Sequence, residues 1–464
     1  MPTGRGVVSL LWNLVVDRLL NVTNDLGFST FCYADDIVII AQGKFAHTVR
    51  EIMQNALNVV AKWAVKEGLN ISPHKTAMVP FTNRRKIEGL GPLKLHGKDI
   101  KLLDEIKYLG VTLDSRLTWN QRLQKTIRKT QTTFAVVRRT CGKKWGLRPS
   151  MVHWLYTRVI RPSILYGVLV WWPKVIQKTT KTQLGRIQRM ACLAITGAMK
   201  STPTAAMEVL LNLTPLNLLI MAEARMALYR LLMFKQPADL KTETGLLSIW
   251  KNVSDPILDM RSDHTIPVYN YSKTFNVIID LDYWRNKDPE LPKDALFWFT
   301  DGSRSDLGTG SGIYGLKPNK SYSFSLGKFA SVFQTEIYAI LWCAYENIRR
   351  AYKNKRILIF SDSQAALSGP KVNSRLVEEC QEALSLLATI NEVTLVCVPG
   401  HHGILGNEMA DKVARQASAM SLLGPEPALG IPKCLAREAI KSWTEYQHSN
   451  TWKLVQVADM ASFL

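Results

Sequence analysis

The stretch Phe297-Trp298-Phe299-Thr300-Asp301-Gly302-Ser303 decides the fold of the C-terminal part of the chain. Three large apolar residues and a threonine in succession predict a strand covered on both faces, since a half-exposed strand alternates. The strand is expected to end at Asp301. The pattern returns at Ile357-Leu358-Ile359-Phe360, which Asp362 is expected to end. Carboxylates at the carboxyl ends of two central strands stand where open sheets bind their ligands. Asp301-Gly302 taken alone is equally a turn sequence.

Working outward from Ala295, the periodicity predicts strand, Gly-rich turn, two strands, a long helix, a strand, helices, a strand and a helix, an α/β or α+β succession. Glu336 falls on the long helix, whose apolar positions are Val332, Phe333, Ile337, Ile340, Leu341 and Ala344. It stands at the edge of that stripe, where a charge is costly unless something binds it. Asp411 follows Asn407, read as a helix cap, and shares a face with Ala414 and Ser418. Carboxylates that converge near buried surface call for a cation, and all-oxygen ligation suits Mg²⁺ or Mn²⁺.

Four motifs then stand in order: Phe299-Thr300-Asp301-Gly302-Ser303, Gln334-Thr335-Glu336, Phe360-Ser361-Asp362-Ser363, and Val398-Pro399-Gly400-His401 with Gly406-Asn407-Glu408-Met409-Ala410-Asp411. Together they make residues 296–416 resemble the type 1 ribonuclease H domain. The resemblance implies a mixed five-stranded sheet with helices. It implies that Asp301, Glu336, Asp362 and Asp411 hold two metal ions and that His401, ten residues before Asp411, assists proton transfer or product release. His402 reads as an exposed loop residue. Two departures stand out. Cys397 replaces the usual tryptophan, and the segment between Asp362 and His401 is too short for the basic protrusion with which some members grip the hybrid.

The 464 residues suggest two or three domains. With 47% hydrophobic and 21% charged residues, the chain is neither disordered nor collagen-like. No apolar run reaches the roughly 18 residues of a membrane helix, and the N-terminus lacks a signal-peptide cleavage pattern, so no membrane partner is expected. Of the net charge of +21, an excess of 18 lies between Ser115 and Lys200, which contains no Asp or Glu. So concentrated a field suggests a polyanion partner. Within it Leu123, Ile127, Thr130, Phe134 and Val137 form a helical stripe. Arg122, Lys125, Arg128 and Lys129 fall off the stripe, which makes them the candidate nucleic-acid contacts. Seven scattered cysteines form no C-x-x-C pair and read as reduced thiols in an intracellular protein.

In the N-terminal part, Tyr33-Ala34-Asp35-Asp36 sits between two apolar runs, a hairpin with an acidic turn. His47 to Lys66 is helical in spacing, and Ile106 to Leu113 reads as one strand. With Gly68-Leu69-Asn70-Ile71-Ser72-Pro73-His74-Lys75-Thr76, Ile106-Lys107-Tyr108-Leu109-Gly110-Val111 and the helix around Leu10-Leu11-Trp12-Asn13-Leu14, residues 2–118 resemble the reverse transcriptase palm of non-LTR retrotransposons. The resemblance implies that Asp35 and Asp36 are two ligands of a metal site whose third aspartate would lie upstream, so this chain alone is not expected to synthesise DNA.

The expected architecture is multidomain α/β: a partial palm over 1–118, a basic helical thumb or connection over 119–236, a linker over 237–294, a ribonuclease H domain over 295–419 and a C-terminal extension over 420–464. The expected activity is metal-dependent cleavage of RNA in RNA–DNA hybrids, with RNA and DNA as partners and, by resemblance, the nucleus as location. The alternatives are a nucleic-acid-binding protein with an inactive nuclease, a fragment of an active RNA-directed DNA polymerase, an integrase- or resolvase-like enzyme on the same fold, and a degenerate element copy.

Overall fold

In a computed structural model, the structure describes residues 5–84, 87, 89–139, 146–234, 248–249, 257, 260–279, 294–362, 371–399 and 403–461. They form two compact units that divide between Gly197 and Ala198. The expected helical segment 119–236 is therefore shared between the two units.

In the first unit, helices α1 (Arg5–Asp25) and α2 (Ala46–Lys66) flank the hairpin of β1 (Ser29–Tyr33) and β2 (Asp36–Ile40). Val16, Leu19, Val60, Trp63 and Ala64 make the core beneath it. The Trp12 Nε1–H donates to the Ala34 carbonyl at 2.7 Å, which pins the turn that carries Asp35. The run expected as one strand from Ile106 to Leu113 is instead a hairpin, β3 (Glu105–Tyr108) and β4 (Val111–Asp114). Leu109 and Gly110 both take positive φ, 44° and 79°, the backbone that a two-residue hairpin turn demands. The Tyr166 hydroxyl donates to the Leu109 carbonyl at 2.7 Å and holds that turn. Helix α3 (Asn120–Arg139) buries Leu123, Ile127, Thr130, Phe134 and Val137, the expected stripe, and packs against α4 (Lys178–Thr196).

In the second unit, α5 (Leu216–Phe234) precedes a stretch expected to be linker. Its described residues supply two strands, β5 (His264–Tyr269) and β6 (Asn276–Ile278). Then come β7 (Ala295–Arg304), β8 (Thr309–Lys317), β9 (Lys320–Gly327), α6 (Val332–Arg349), β10 (Arg356–Ser361), β11 (Lys371–Ser374), α7 (Arg375–Ala388), β12 (Glu392–Cys397), α8 (Leu405–Ser418) and α9 (Lys433–Ala461). The sheet order is β6-β12-β10-β7-β8-β9. Strands β7, β10, β12 and β6 run parallel, while β8 and β9 return antiparallel. Five strands match the expectation, and β6 adds a sixth at the edge.

Both faces of β7 are covered, as its unbroken apolar run requires. Trp298 joins the core formed with α6 and α7, and its Nε1–H reaches the Asn347 side chain at 3.2 Å. Phe297 and Phe299 face the opposite core with Phe360 and Ala410, the Phe299 and Phe360 rings stacking at 4.7 Å. The C-terminal extension forms helix α9, which packs against α5 through Tyr229, Met233, Ala436 and Ile440. Among the described residues no single helix is long and apolar enough to cross a membrane.

Candidate active site

Asp301 does not end its strand. Strand β7 continues to Arg304, paired with β8, but its pairing with β10 stops at Thr300 opposite Ser361. Asp301 and Asp362 thus stand one step past the last parallel pair, where the two strands part. Asp301 is 8% exposed, and its Oδ1 accepts the Gly302 N–H at 2.7 Å. Burial pushes its carboxyl up to about 8. The Asp362 carboxylate pushes the same way, and Asp411 and Glu336 add to it. The other three carboxylates singled out in the sequence are therefore all close enough to act on Asp301.

Two helices carry the outer pair, and two glycines of the sheet let them in. Glu336, half-buried, lies on the first turns of α6. That helix starts with a capping box in which the Ser331 Oγ accepts the Gln334 N–H and the Gln334 side chain accepts the Ser331 N–H. A Cβ at Gly302 would collide with Thr335 Oγ1 and stand 2.9 Å from the Glu336 amide nitrogen. Ser311 Oγ donates to the Thr335 carbonyl at 2.6 Å and ties the same turn to β8. Val332 and Phe333, expected in the apolar stripe, are each 37% exposed, because Gln334 and Thr335 take the buried side of that turn.

Helix α8 lies on bare backbone of β8. Gly312, directly opposite Asp301, has no room for a Cβ against the Ala410 carbonyl and the Ala414 amide. Asn407 is not the cap of this helix: Ile404 is, and Asn407 is buried in the first turn. Its Oδ1 is buried with no donor, one turn before Asp411. Both Asp411 oxygens are held by Arg415, Oδ1 by Nε at 2.8 Å and Oδ2 by Nη2 at 2.6 Å.

The donor set fits a hard divalent cation: four carboxylates, one of them driven toward its protonated form by burial and, after that, by the other three. Among the described residues no three such side chains close on one point as a ready-made ion site, and the turning of Asp411 toward Arg415 accounts for one arm. His401, His402 and Gly400 lie outside the described residues.

In the first unit, Asp35 and Asp36 are exposed at the hairpin tip. Their charges, after burial, raise the Cys32 thiol, and Asp36 acts likewise on the Tyr108 hydroxyl. No third acid completes a site with them among the described residues. Of the four basic candidates, Arg122 is misplaced by the helical stripe. It is partly buried and its guanidinium donates to Thr126 Oγ1 at 2.8 Å and to the Tyr166 carbonyl at 3.0 Å. Its Nε is buried without an acceptor, and burial lowers its pKa. Arg122 is thus a packing residue. Lys125 pairs with Glu105 at 2.7 Å, while Arg128 and Lys129 are exposed.

The sequence reading missed Gly302 as a packing position, along with Gly312 and Ser311. The glycines at 310 and 312, two apart and so on one face of a strand, were the available signal.

Comparison with known proteins agrees with both halves. Residues 1–113 match the family model of the reverse transcriptase (RNA-dependent DNA polymerase), and residues 293–419 match that of RNase H. A reverse transcriptase segment and an RNase H domain are therefore both present. The relatives include polyproteins and polymerases of mobile elements. A retrovirus-related Pol polyprotein from the type-1 retrotransposable element R1 of Nasonia vitripennis is 25% identical over 221 residues, 47% of this chain and 66% of that protein. The probable RNA-directed DNA polymerase from transposon BS of Drosophila melanogaster is 27% identical over 164 residues, 35% of this chain and 18% of that protein. The RNA-directed DNA polymerase from mobile element jockey of the same species is 26% identical over 167 residues, 36% and 18% of the two chains. The chain thus spans about two thirds of the Nasonia relative and less than a fifth of the two Drosophila ones.

Proposed function

We propose that this chain cleaves the RNA strand of RNA–DNA hybrids endonucleolytically, using Asp301, Glu336, Asp362 and Asp411 with two Mg²⁺ or Mn²⁺ ions. The observation that carries the reading is the setting of Asp301 at the parting of two central strands, a carboxyl raised to about 8 by burial first and then by the Asp362, Asp411 and Glu336 carboxylates. Divalent ions bound there supply charge stabilisation for an in-line displacement at phosphorus. The chain's own part is to hold the four carboxylates on one rigid end of the sheet, with Gly302 and Gly312 seating the two helices. Asp301, Glu336, Asp362 and Asp411 would hold the ions, and His401 is assigned a role in proton transfer or product release. Strand choice rests on 2′-hydroxyl contacts across the hybrid's minor groove. RNA, DNA and their hybrid are the proposed partners, and the nucleus the proposed location.

The test is a substrate panel with the full chain: end-labelled RNA–DNA hybrid, RNA duplex and DNA duplex, with Mg²⁺ and with EDTA. Internal cuts confined to the RNA of the hybrid, and abolished by EDTA, support the reading. Equal cutting of all three duplexes contradicts it.

A second reading, contribution to RNA-directed DNA synthesis, is favoured by one observation, the acidic hairpin tip pinned by Trp12. Primer extension that is lost in Asp35→Ala supports it; absence of extension by the chain alone argues against independent polymerase activity.

A further inference from the structure

Strands β5 and β11 pair antiparallel into a two-stranded ribbon outside the main sheet. Its place follows from topology. Strands β10 and β12 are parallel, so the crossover helix α7 between them starts at the carboxyl end of β10, the end that carries Asp362. Strand β11 runs straight into α7, with Ser374 as its cap. The ribbon is therefore rooted at the acidic end of the sheet.

The root is tightly bonded. Asp263, 7% exposed, accepts the Ser374 hydroxyl at 2.7 Å and the Leu376 N–H at 3.1 Å. Its own carbonyl accepts the Arg375 N–H at 2.8 Å. Its N–H donates to the Ile431 carbonyl at 3.0 Å, and the side chain of Gln334, two residues before Glu336, donates to the neighbouring Gly430 carbonyl at 2.8 Å. The ribbon and the Glu336 turn are thus joined through Gly430 and Ile431.

The outer end of the ribbon and the residues just after β5 carry exposed aromatic and basic side chains. Val372 is buried beneath it. Tyr269 and Tyr271 are 54% and 81% exposed, and their rings stack at 6.2 Å with 12° between planes. Lys371 pairs in register with Tyr269 and is exposed. Lys433 and Lys371 are both close enough to His264 to lower its pKa, after burial. Open aromatic faces beside ammonium groups match unpaired bases and their phosphates. A duplex keeps its bases stacked internally and offers no such faces.

We propose that the β5–β11 ribbon binds the single-stranded flank of a hybrid, with Tyr269 and Tyr271 stacking on unpaired bases and Lys371 meeting phosphate. The proposal rests on the hybrid-nuclease reading for the identity of the adjoining duplex.

The experiment measures binding by fluorescence anisotropy in EDTA, so that cleavage plays no part. A blunt hybrid is compared with the same hybrid carrying a single-stranded overhang, for wild type and for Tyr269→Ser/Tyr271→Ser. The overhang is expected to tighten wild-type binding about tenfold or more, and the double variant to lose that increment with its melting temperature unchanged. Lys371→Gln is expected to keep a tyrosine-dependent increment while flattening its salt dependence by a log–log slope of about 0.7. No overhang increment in wild type, or an equal increment in wild type and double variant, overturns the proposal. Failure of the nuclease reading appears separately, as uncut blunt hybrid in Mg²⁺.

Discussion

Arg415 grips Asp411 with both of its carboxylate oxygens engaged, at 2.8 and 2.6 Å, one helical turn apart. A carboxylate so held must leave one partner to meet another. Both side chains reach solvent, Arg415 at 63% and Asp411 at 19% exposure, so the pair is worth little to stability.

Arg415→Ala is accordingly expected to tighten Mg²⁺ binding several-fold, measured by calorimetry on the full chain, with less than about 1 kcal/mol change in stability. Unchanged or weaker Mg²⁺ binding would show that Arg415 instead positions Asp411 for the ion.

Gly302 and Gly312 make a second prediction. A methyl group at either has no room against Thr335 or against the backbone of α8. Gly302→Ala or Gly312→Ala should cost roughly 1–3 kcal/mol through overpacking and displace Glu336 or Asp411 respectively. Chemical denaturation and Mg²⁺ titration of each variant check this. Wild-type values in both would mean that the helices are seated by something else.

A third concerns acid. Glu346, 2% exposed, receives Arg349 at 2.8 Å, the Tyr322 hydroxyl at 2.6 Å and Arg350 at 2.7 Å, and these partners, Arg349 first, hold its carboxyl down at about 2. Its folded-state pKa is depressed, so its stabilising contribution is full above the ordinary 4.5 and is lost as pH falls toward 2. Glu346→Gln should cost roughly 1–3 kcal/mol at neutral pH, and its melting temperature should fall less than that of wild type between pH 4.5 and 2. Parallel curves for the two proteins would remove Glu346 from the account.

The basic helix gives a fourth. Arg122→Met should destabilise the first unit by about 1–3 kcal/mol, because the Tyr166 carbonyl and Thr126 lose a charged donor. It should leave the salt dependence of nucleic-acid binding alone. Neutralising the exposed Arg128 and Lys129 should flatten that dependence. The reverse pattern would restore Arg122 to the interface.

Where the sequence was legible, local chemistry was enough. An apolar run followed by an acid marked Asp301 and Asp362, and a stripe at steps of four and three marked the buried face of α3. What escaped depends on chain segments far apart. Tyr166 reaches Arg122 across 44 residues. Ser374 reaches Asp263 across 111, which is why a ribbon and a sixth strand lay hidden in an expected linker. Gly302 read as a turn residue because nothing local shows that α6 approaches its backbone. The turn at Leu109 stayed hidden because a leucine rarely takes positive φ.

The most direct test of the central claim is the cleavage of a blunt RNA–DNA hybrid by the full chain in Mg²⁺, wild type against Asp362→Asn. The substitution keeps the shape of the side chain and removes one carboxylate charge beside Asp301. The account predicts cuts in the RNA strand by wild type, and a loss of at least a hundredfold in Asp362→Asn with its melting temperature kept. Equal cleavage by the two proteins would contradict the assignment of the site.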